Sequence, residues 1–340
     1  MAIPRWAAGL ALALLIVTLG ASSSGPAPAG VSVERGRYLS HAVCECFECH
    51  SPLQDNDLVE PIASRLGAGD ILNKKTRHVA PNITPDEETG AGRWSDEQLV
   101  RAIRDGIGHD GRRLSLVMPY PDFGILTDDD VRSIVAYLRT LPPIRNRLPH
   151  WIPTDAAERP KVPMRHPPTA AQLATPLGRG EYLVRIARCG HCHTPRPLSG
   201  TFRERRLEME FGGGRRFETK PTFDELETDP GSATRPAVDP GPPEGFVTSP
   251  NITTDPSGIP YYTESIFIQT IRTGRVAGVR PLTRAMVWFE FRKLNDEDLK
   301  AIFLFLRSVP PVKHRVSNSD PPTWCPRCGR FHGLGDSNAP

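Results

Sequence analysis

Methionine is scarce in this chain: five in 340 residues, one of them the first. Each of the others therefore carries positional information that a common residue would not. Aromatic residues are few as well, at 7%. Beyond the first twenty residues no apolar run approaches the length of about 20 needed to span a bilayer. Acidic and basic residues nearly cancel, 39 against 42 for a formal charge of +3, which excludes nucleic-acid binding through bulk charge. Strand patterns are weak throughout, so the helical periodicities described below predict an all-α chain.

Cysteine is also sparse, at seven residues, yet four of the seven fall in two copies of one pentapeptide, Cys46-Phe47-Glu48-Cys49-His50 and Cys189-Gly190-His191-Cys192-His193. Zinc sites and redox dithiols share the Cys-x-x-Cys portion. A histidine directly after both pairs reads instead as covalent c-type haem attachment: two thioethers to the vinyl groups of one porphyrin and a proximal axial ligand to its iron. Two such sites predict two haem c groups, held by Cys46, Cys49 and His50 and by Cys189, Cys192 and His193.

The chain repeats itself. At an offset of 168 residues, Leu126 to Ile144 aligns with Leu294 to Val312, identical at eight of nineteen positions. The same offset pairs Gly106 with Gly274, Arg112 with Arg280 and Met118 with Met286. Asn82-Ile83-Thr84 answers Asn251-Ile252-Thr253, and Gly36-Arg37-Tyr38-Leu39 answers Gly180-Glu181-Tyr182-Leu183. A duplicated unit follows. The recurring Asn-Ile-Thr, an acceptor pattern for glycosylation, is better explained by that duplication. The expected layout is a domain over residues 31–145, a proline-rich linker over 146–176 and a second domain over 177–312 with a loop insertion at about 212–250. A tail over 313–340 carries a further Cys-x-x-Cys pair, Cys325 and Cys328, which lacks the histidine.

Residues Val131, Ile134, Val135 and Leu138 lie at helical spacing, as do Leu299, Ile302, Phe303 and Leu306. Thr127 with Asp130 and Asn295 with Asp298 supply N-terminal caps, and paired prolines at 142–143 and 310–311 stop both helices. Ser95 and Gln98 form a capping box for a further helix ending near Gly106. The apolar run Trp6 to Leu19 behind Arg5 predicts a secretory signal peptide over residues 1–29 and hence a periplasmic protein. A retained membrane anchor is the alternative.

A haem with one histidine ligand needs a second axial group for low-spin electron transfer, and methionine sulfur raises the potential. Met118 and Met286 are the candidates because they occupy equivalent repeat positions. Gap-filling in an apolar core would not require that equivalence. Met164 falls in the linker and Met209 near the insertion, and they read as packing residues.

Together, Gly36 to Leu39, Asn82 to Asp86, Met118 to Tyr120 and Leu126 to Pro143 resemble the cytochrome c subunits that accompany bacterial membrane-bound alcohol, gluconate and aldehyde dehydrogenases. The resemblance covers about residues 31 to 312. It implies two tandem class I cytochrome c domains. Cys46, Cys49, His50 and Met118 would serve one haem, and Cys189, Cys192, His193 and Met286 the other. It further implies a non-enzymatic, exported electron carrier between a dehydrogenase donor and a cytochrome or oxidase acceptor, within a possible membrane-associated complex. Val287 and Trp288 depart from the proline and aromatic residue that follow the methionine in that family. A dihaem peroxidase, with one haem open to peroxide, and a haem-containing redox sensor are the competing expectations.

Overall fold

The computed structural model describes residues 30–54, 60–155, 166–197, 204–218, 246–283, 285–316, 323–325 and 330–332. The expected leader over 1–29 lies outside them, as do residues 219–245 of the insertion, Met164, Cys328 and most of the tail.

In the first half, α1 (Val33–Tyr38) starts where the Ser32 hydroxyl accepts the Arg35 N–H, and it runs into a π-helical turn over Leu39–Val43. Next come α2 (Cys46–Cys49), the hairpin β1 (Asp70–Asn73) and β2 (His78–Ala80), α3 (Asp96–Asp105), α4 (Tyr120–Phe123) and α5 (Asp128–Thr140). The short α6 (Ala170–Leu173) leads into the second half. There α7 (Pro176–Ile186), α8 (Cys189–His193), hairpin β3 (Arg216–Glu218) with β4 (Phe246–Thr248), α9 (Glu264–Thr273), hairpin β5 (Arg275–Val276) with β6 (Arg280–Pro281), α10 (Trp288–Phe291) and α11 (Asp296–Ser308) follow nearly the same order. A last hairpin pairs β7 (Thr323–Cys325) with β8 (Arg330–His332).

The capping residues act as their chemistry requires. Thr127 accepts the Asp130 N–H and Asn295 the Asp298 N–H. Ser95 and Gln98 form a reciprocal capping box, and α3 ends at Gly106 in the left-handed region. The glycine of each Gly-x-Tyr-Leu motif has a steric role. A Cβ on Gly36 would lie 1.8 Å from the Ser133 carbonyl oxygen, and one on Gly180 would lie 1.9 Å from that of Ala301. Only a residue without a side chain lets α1 cross α5, and α7 cross α11, at backbone contact.

The expectation of an all-α chain made of two tandem helical domains needs correction. Among the described residues, four two-stranded antiparallel hairpins accompany the helices. The principal buried cluster draws on both halves, with Leu39, Val43 and Phe47 in the same contiguous core as Tyr182, Leu183 and Ile186. Strands of two to four residues carry too few side chains to display a period of two, which is why the pattern passed them over. The insertion also has a structured base, since β3 and β4 close its two ends with Arg216 opposite Thr248.

The two halves meet through reciprocal polar contacts. The Tyr182 hydroxyl donates to Asp130 at 2.7 Å, and the Tyr38 hydroxyl donates to Asp298 at 2.5 Å. Each aspartate is also held by an arginine of its own half: Arg35 reaches Asp130 at 2.8 Å and Arg179 reaches Asp298 at 2.5 Å. A tyrosine of one half thus completes the start of the last helix in the other. Burial and the adjacent carboxylate push both tyrosine hydroxyls well above their ordinary pKa, so they remain donors.

Candidate haem sites

Both Cys-x-x-Cys-His segments fold as a single helical turn, α2 with His50 at its end and α8 with His193 as its last residue. Each turn is entered through a residue in the left-handed region, Glu45 at φ 53° and Arg188 at φ 58°. Non-glycine residues adopt this conformation rarely, so its recurrence directly before both first cysteines marks one local design used twice. Neither cysteine pair is joined by a disulfide. Burial pushes Cys46 up to about 11 and Cys49 and Cys189 up to about 12, which leaves these thiols protonated.

The histidines are oriented identically. His50 Nδ1 lies 2.8 Å from the Pro81 carbonyl and His193 Nδ1 lies 2.8 Å from the Pro250 carbonyl. A carbonyl only accepts, so each Nδ1 carries the proton. Burial lowers both pKa values, with the carbonyl bond opposing it, and the rings are neutral with Nε2 bearing a lone pair. That is the tautomer a metal-ligating histidine needs, and a hydrogen bond to the distal nitrogen fixes its ring plane. Both prolines directly follow or closely follow a strand, β2 and β4. The hairpins missing from the sequence pattern therefore deliver the acceptors that orient the two histidines.

The backbone on the far side of each histidine matches as well. The His50 carbonyl accepts from Gly69 at 2.8 Å and the His193 carbonyl from Gly213 at 2.7 Å, both glycines with positive φ. Asn82 and Asn251 are buried, and their amides donate to the carbonyls of Ile144 and Val312, each at 2.7 Å. The Asn-Ile-Thr repeats thereby clamp the loop beyond each histidine to the segment leaving the last helix. This structural use accounts for their recurrence.

Met118 and Met286 stand in equivalent turns. Their N–H groups donate to Ser115 and Thr283 at 3.2 Å, and their carbonyls accept from Tyr120 and Trp288 at 2.8 Å. Both are partly buried against the principal core. Tyr120 and Trp288 lie over Gly106 and Gly274, where a Cβ would come within 2.4 Å and 2.3 Å of the rings, so the substitution of tryptophan in the second half preserves the packing. The Tyr120 hydroxyl is buried without a hydrogen-bond partner. A buried hydroxyl without a partner two residues from a candidate axial methionine, cysteine pairs not joined by disulfides and neutral histidines with the lone pair on Nε2 all fit haem c.

Sequence reasoning did not anticipate the contact between the two sites. Arg188 donates to Glu45 at 2.5 Å across the interface. Burial raises the Glu45 carboxyl to about 7, against the opposing pull of Arg188, and the neighbouring Glu290 adds to the rise. Arg205 likewise reaches across to Asp122 at 2.9 Å. The available signal was positional: Glu45 and Arg188 occupy the same place in the two repeats with opposite charge.

Residues 33–142 match the family described as Cytochrome c. The cytochrome c subunit of alcohol dehydrogenase (quinone) from Gluconobacter oxydans is 26% identical over 322 residues, covering 90% of this chain and 60% of that protein. The fructose dehydrogenase cytochrome subunit of Gluconobacter japonicus is 29% identical over 320 residues, covering 85% and 56%. A diheme cytochrome c-type protein of Cereibacter sphaeroides is 28% identical over 330 residues, covering 90% and 98%. The chain thus spans a little under two thirds of the dehydrogenase subunits and nearly all of the diheme protein. Residues 33–142 thus match a cytochrome c domain, and the chain as a whole is similar to the cytochrome c subunits of bacterial dehydrogenases.

Proposed function

We propose that this chain carries two haem c groups and transfers electrons from a partner dehydrogenase to a cytochrome or terminal oxidase. The observation that supports it is the duplication of the complete site: thiol pair, carbonyl-oriented histidine and methionine turn occur in both halves with matching hydrogen bonds. Cys46, Cys49, His50 and Met118 serve the first haem, and Cys189, Cys192, His193 and Met286 the second. When bound, the haem iron supplies one-electron exchange between its ferrous and ferric states.

The protein's own residues tune that exchange. The Nδ1–H bond to Pro81 or Pro250 holds each imidazole in place and increases its basicity. Ligation by the Met118 or Met286 thioether would favour the reduced state. Glu45 and Arg188 join the two attachment turns directly. That arrangement would let two haems held by these turns exchange electrons inside the chain. Two matched methionine turns weigh against a peroxidase, which needs one haem with an open position.

The apolar run Trp6 to Leu19 and the attachment of haem c outside the bacterial cytoplasm support export to the periplasm. No helix among the described residues is long and apolar enough to cross a membrane.

The test is a quantitative low-temperature electron paramagnetic resonance and near-infrared magnetic circular dichroism spectrum of the oxidised protein, normalised to total haem. Two low-spin His/Met haems per chain are expected. A high-spin or bis-histidine haem in either half would overturn the assignment. Rapid reduction by a quinoprotein or flavoprotein dehydrogenase with its substrate is the second expected result.

A further inference from the structure

We infer that Asp155, on the segment leaving the first half, is a positioning residue that braces the Met118 turn and makes the first haem site stiffer than the second; the inference rests on Met118 being an axial ligand. Its carboxylate is largely buried, with 14% of the side chain exposed. Oδ2 accepts from the Ser115 hydroxyl at 2.7 Å and from the Leu116 N–H at 2.8 Å. Ser115 opens the turn that carries Met118: its carbonyl accepts the Met118 N–H at 3.2 Å and its hydroxyl oxygen accepts the Val117 N–H at 3.0 Å. Two charge-assisted bonds to one carboxylate therefore hold the first two residues of that turn, Ser115 and Leu116.

The other oxygen reaches the opposite side of the site. Oδ1 lies 2.9 Å from His78 Nε2, and His78 is 5% exposed at the start of β2. His78 Nδ1 lies 2.7 Å from the Thr76 hydroxyl, whose residue also accepts the Thr154 N–H through its carbonyl at 3.1 Å. Three residues after His78 comes Pro81, whose carbonyl orients His50. A single carboxylate thus links the strand that aims the histidine to the turn that presents the methionine. Burial alone would raise its pKa, but the bonds from His78 and Ser115 more than offset this, and it stays below the usual aspartate value as a charged acceptor.

Among the described residues, the second half shows no counterpart to the histidine end of this brace. Val247 stands three residues before Pro250, as His78 stands three before Pro81, and valine donates nothing from its side chain. Thr283 retains the backbone bond to Met286. Opening of a methionine turn is read directly by a competing ligand, because exogenous imidazole binds iron only when the sulfur has left, so its apparent affinity rises with the open fraction.

The experiment is an imidazole titration of the oxidised full-length holoprotein, followed by loss of the near-infrared sulfur-to-iron charge-transfer band, together with the midpoint potentials of both haems. In Asp155→Ala the expected change is a roughly tenfold increase in imidazole affinity at one haem per chain, with a lowered potential at that haem and none at the other. Met118→Ala identifies the affected haem by removing its band outright. If Asp155→Ala fails to yield holoprotein, Ser115→Ala, which deletes one donor, takes its place with an increase of about threefold. Unchanged titration and potentials at both haems, in variants whose parent loses one band on Met118→Ala, would overturn the brace while leaving the ligand intact. Retention of both bands in Met118→Ala would instead overturn the ligand assignment and the inference with it.

Discussion

Removing Arg188 should destabilise the protein in a manner that depends strongly on pH. Glu45 is 5% exposed, its Oε1 has no hydrogen-bond partner, and Arg188 holds its other oxygen at 2.5 Å. Breaking a buried ion pair by deleting one member typically costs about 3–5 kcal/mol. Arg188 keeps 22% of its side chain exposed, so Arg188→Met should fall at or just below the bottom of that range, about 2–3 kcal/mol at pH 8. The sign with pH follows from the carboxyl. Burial already raises Glu45 to about 7 with the arginine present, and a carboxyl raised in the folded state loses stabilisation as pH climbs from its unfolded value through its folded one. Without Arg188 that folded value moves higher still, and Glu45 takes a proton rather than remain a buried charge beside Glu48 and Glu290. At pH 5 the carboxyl is neutral in the variant and the loss should shrink to about 1 kcal/mol. Denaturant unfolding of the holoprotein at both pH values, followed by far-ultraviolet circular dichroism, measures the difference. An equal loss at pH 5 and pH 8, or one below about 0.5 kcal/mol at both, would refute the view that Arg188 neutralises a buried carboxylate.

Gly36→Ala and Gly180→Ala each force a Cβ against a helix backbone, 1.8 Å and 1.9 Å from a carbonyl oxygen; each should cost about 3 kcal/mol or more in thermal or denaturant unfolding. Tyr182→Phe removes the hydroxyl that reaches Asp130 across the interface and should destabilise by about 1–2 kcal/mol, with Tyr38→Phe behaving alike. A double variant whose losses simply add would show that the two contacts act independently. His41 lies 2.7 Å from the Tyr137 hydroxyl, and burial, with Lys293 and Arg37 nearby, lowers its pKa to about 4. A histidine depressed in the fold costs stability as pH falls from about 6.5 toward 4, so His41→Gln should flatten the pH dependence of unfolding in that window.

Much of the chemistry was legible before any coordinates. Cys-x-x-Cys-His is contiguous, so its reading required no folding, and the capping residues Thr127, Asn295 and Ser95 act on backbone groups three positions away. The hairpins were not legible, because their pairing depends on residues as far apart as Arg216 and Thr248 and on too few side chains to set a period. The brace formed by His78, Ser115 and Asp155 escaped notice for the same reason: its members lie 37 to 77 positions apart with no motif between them.

The sequence by itself determined where the two Cys-x-x-Cys-His turns and the helix caps fall and which methionines are equivalent, because motifs and local capping act over a few residues and duplication copies their spacing. Tertiary structure alone decided that Pro81 and Pro250 orient the histidines, that Tyr38 and Tyr182 exchange partners, and that Glu45 faces Arg188. Those contacts join groups from different segments, and a hydrogen bond or ion pair depends on separation in space, which distance along the chain does not encode.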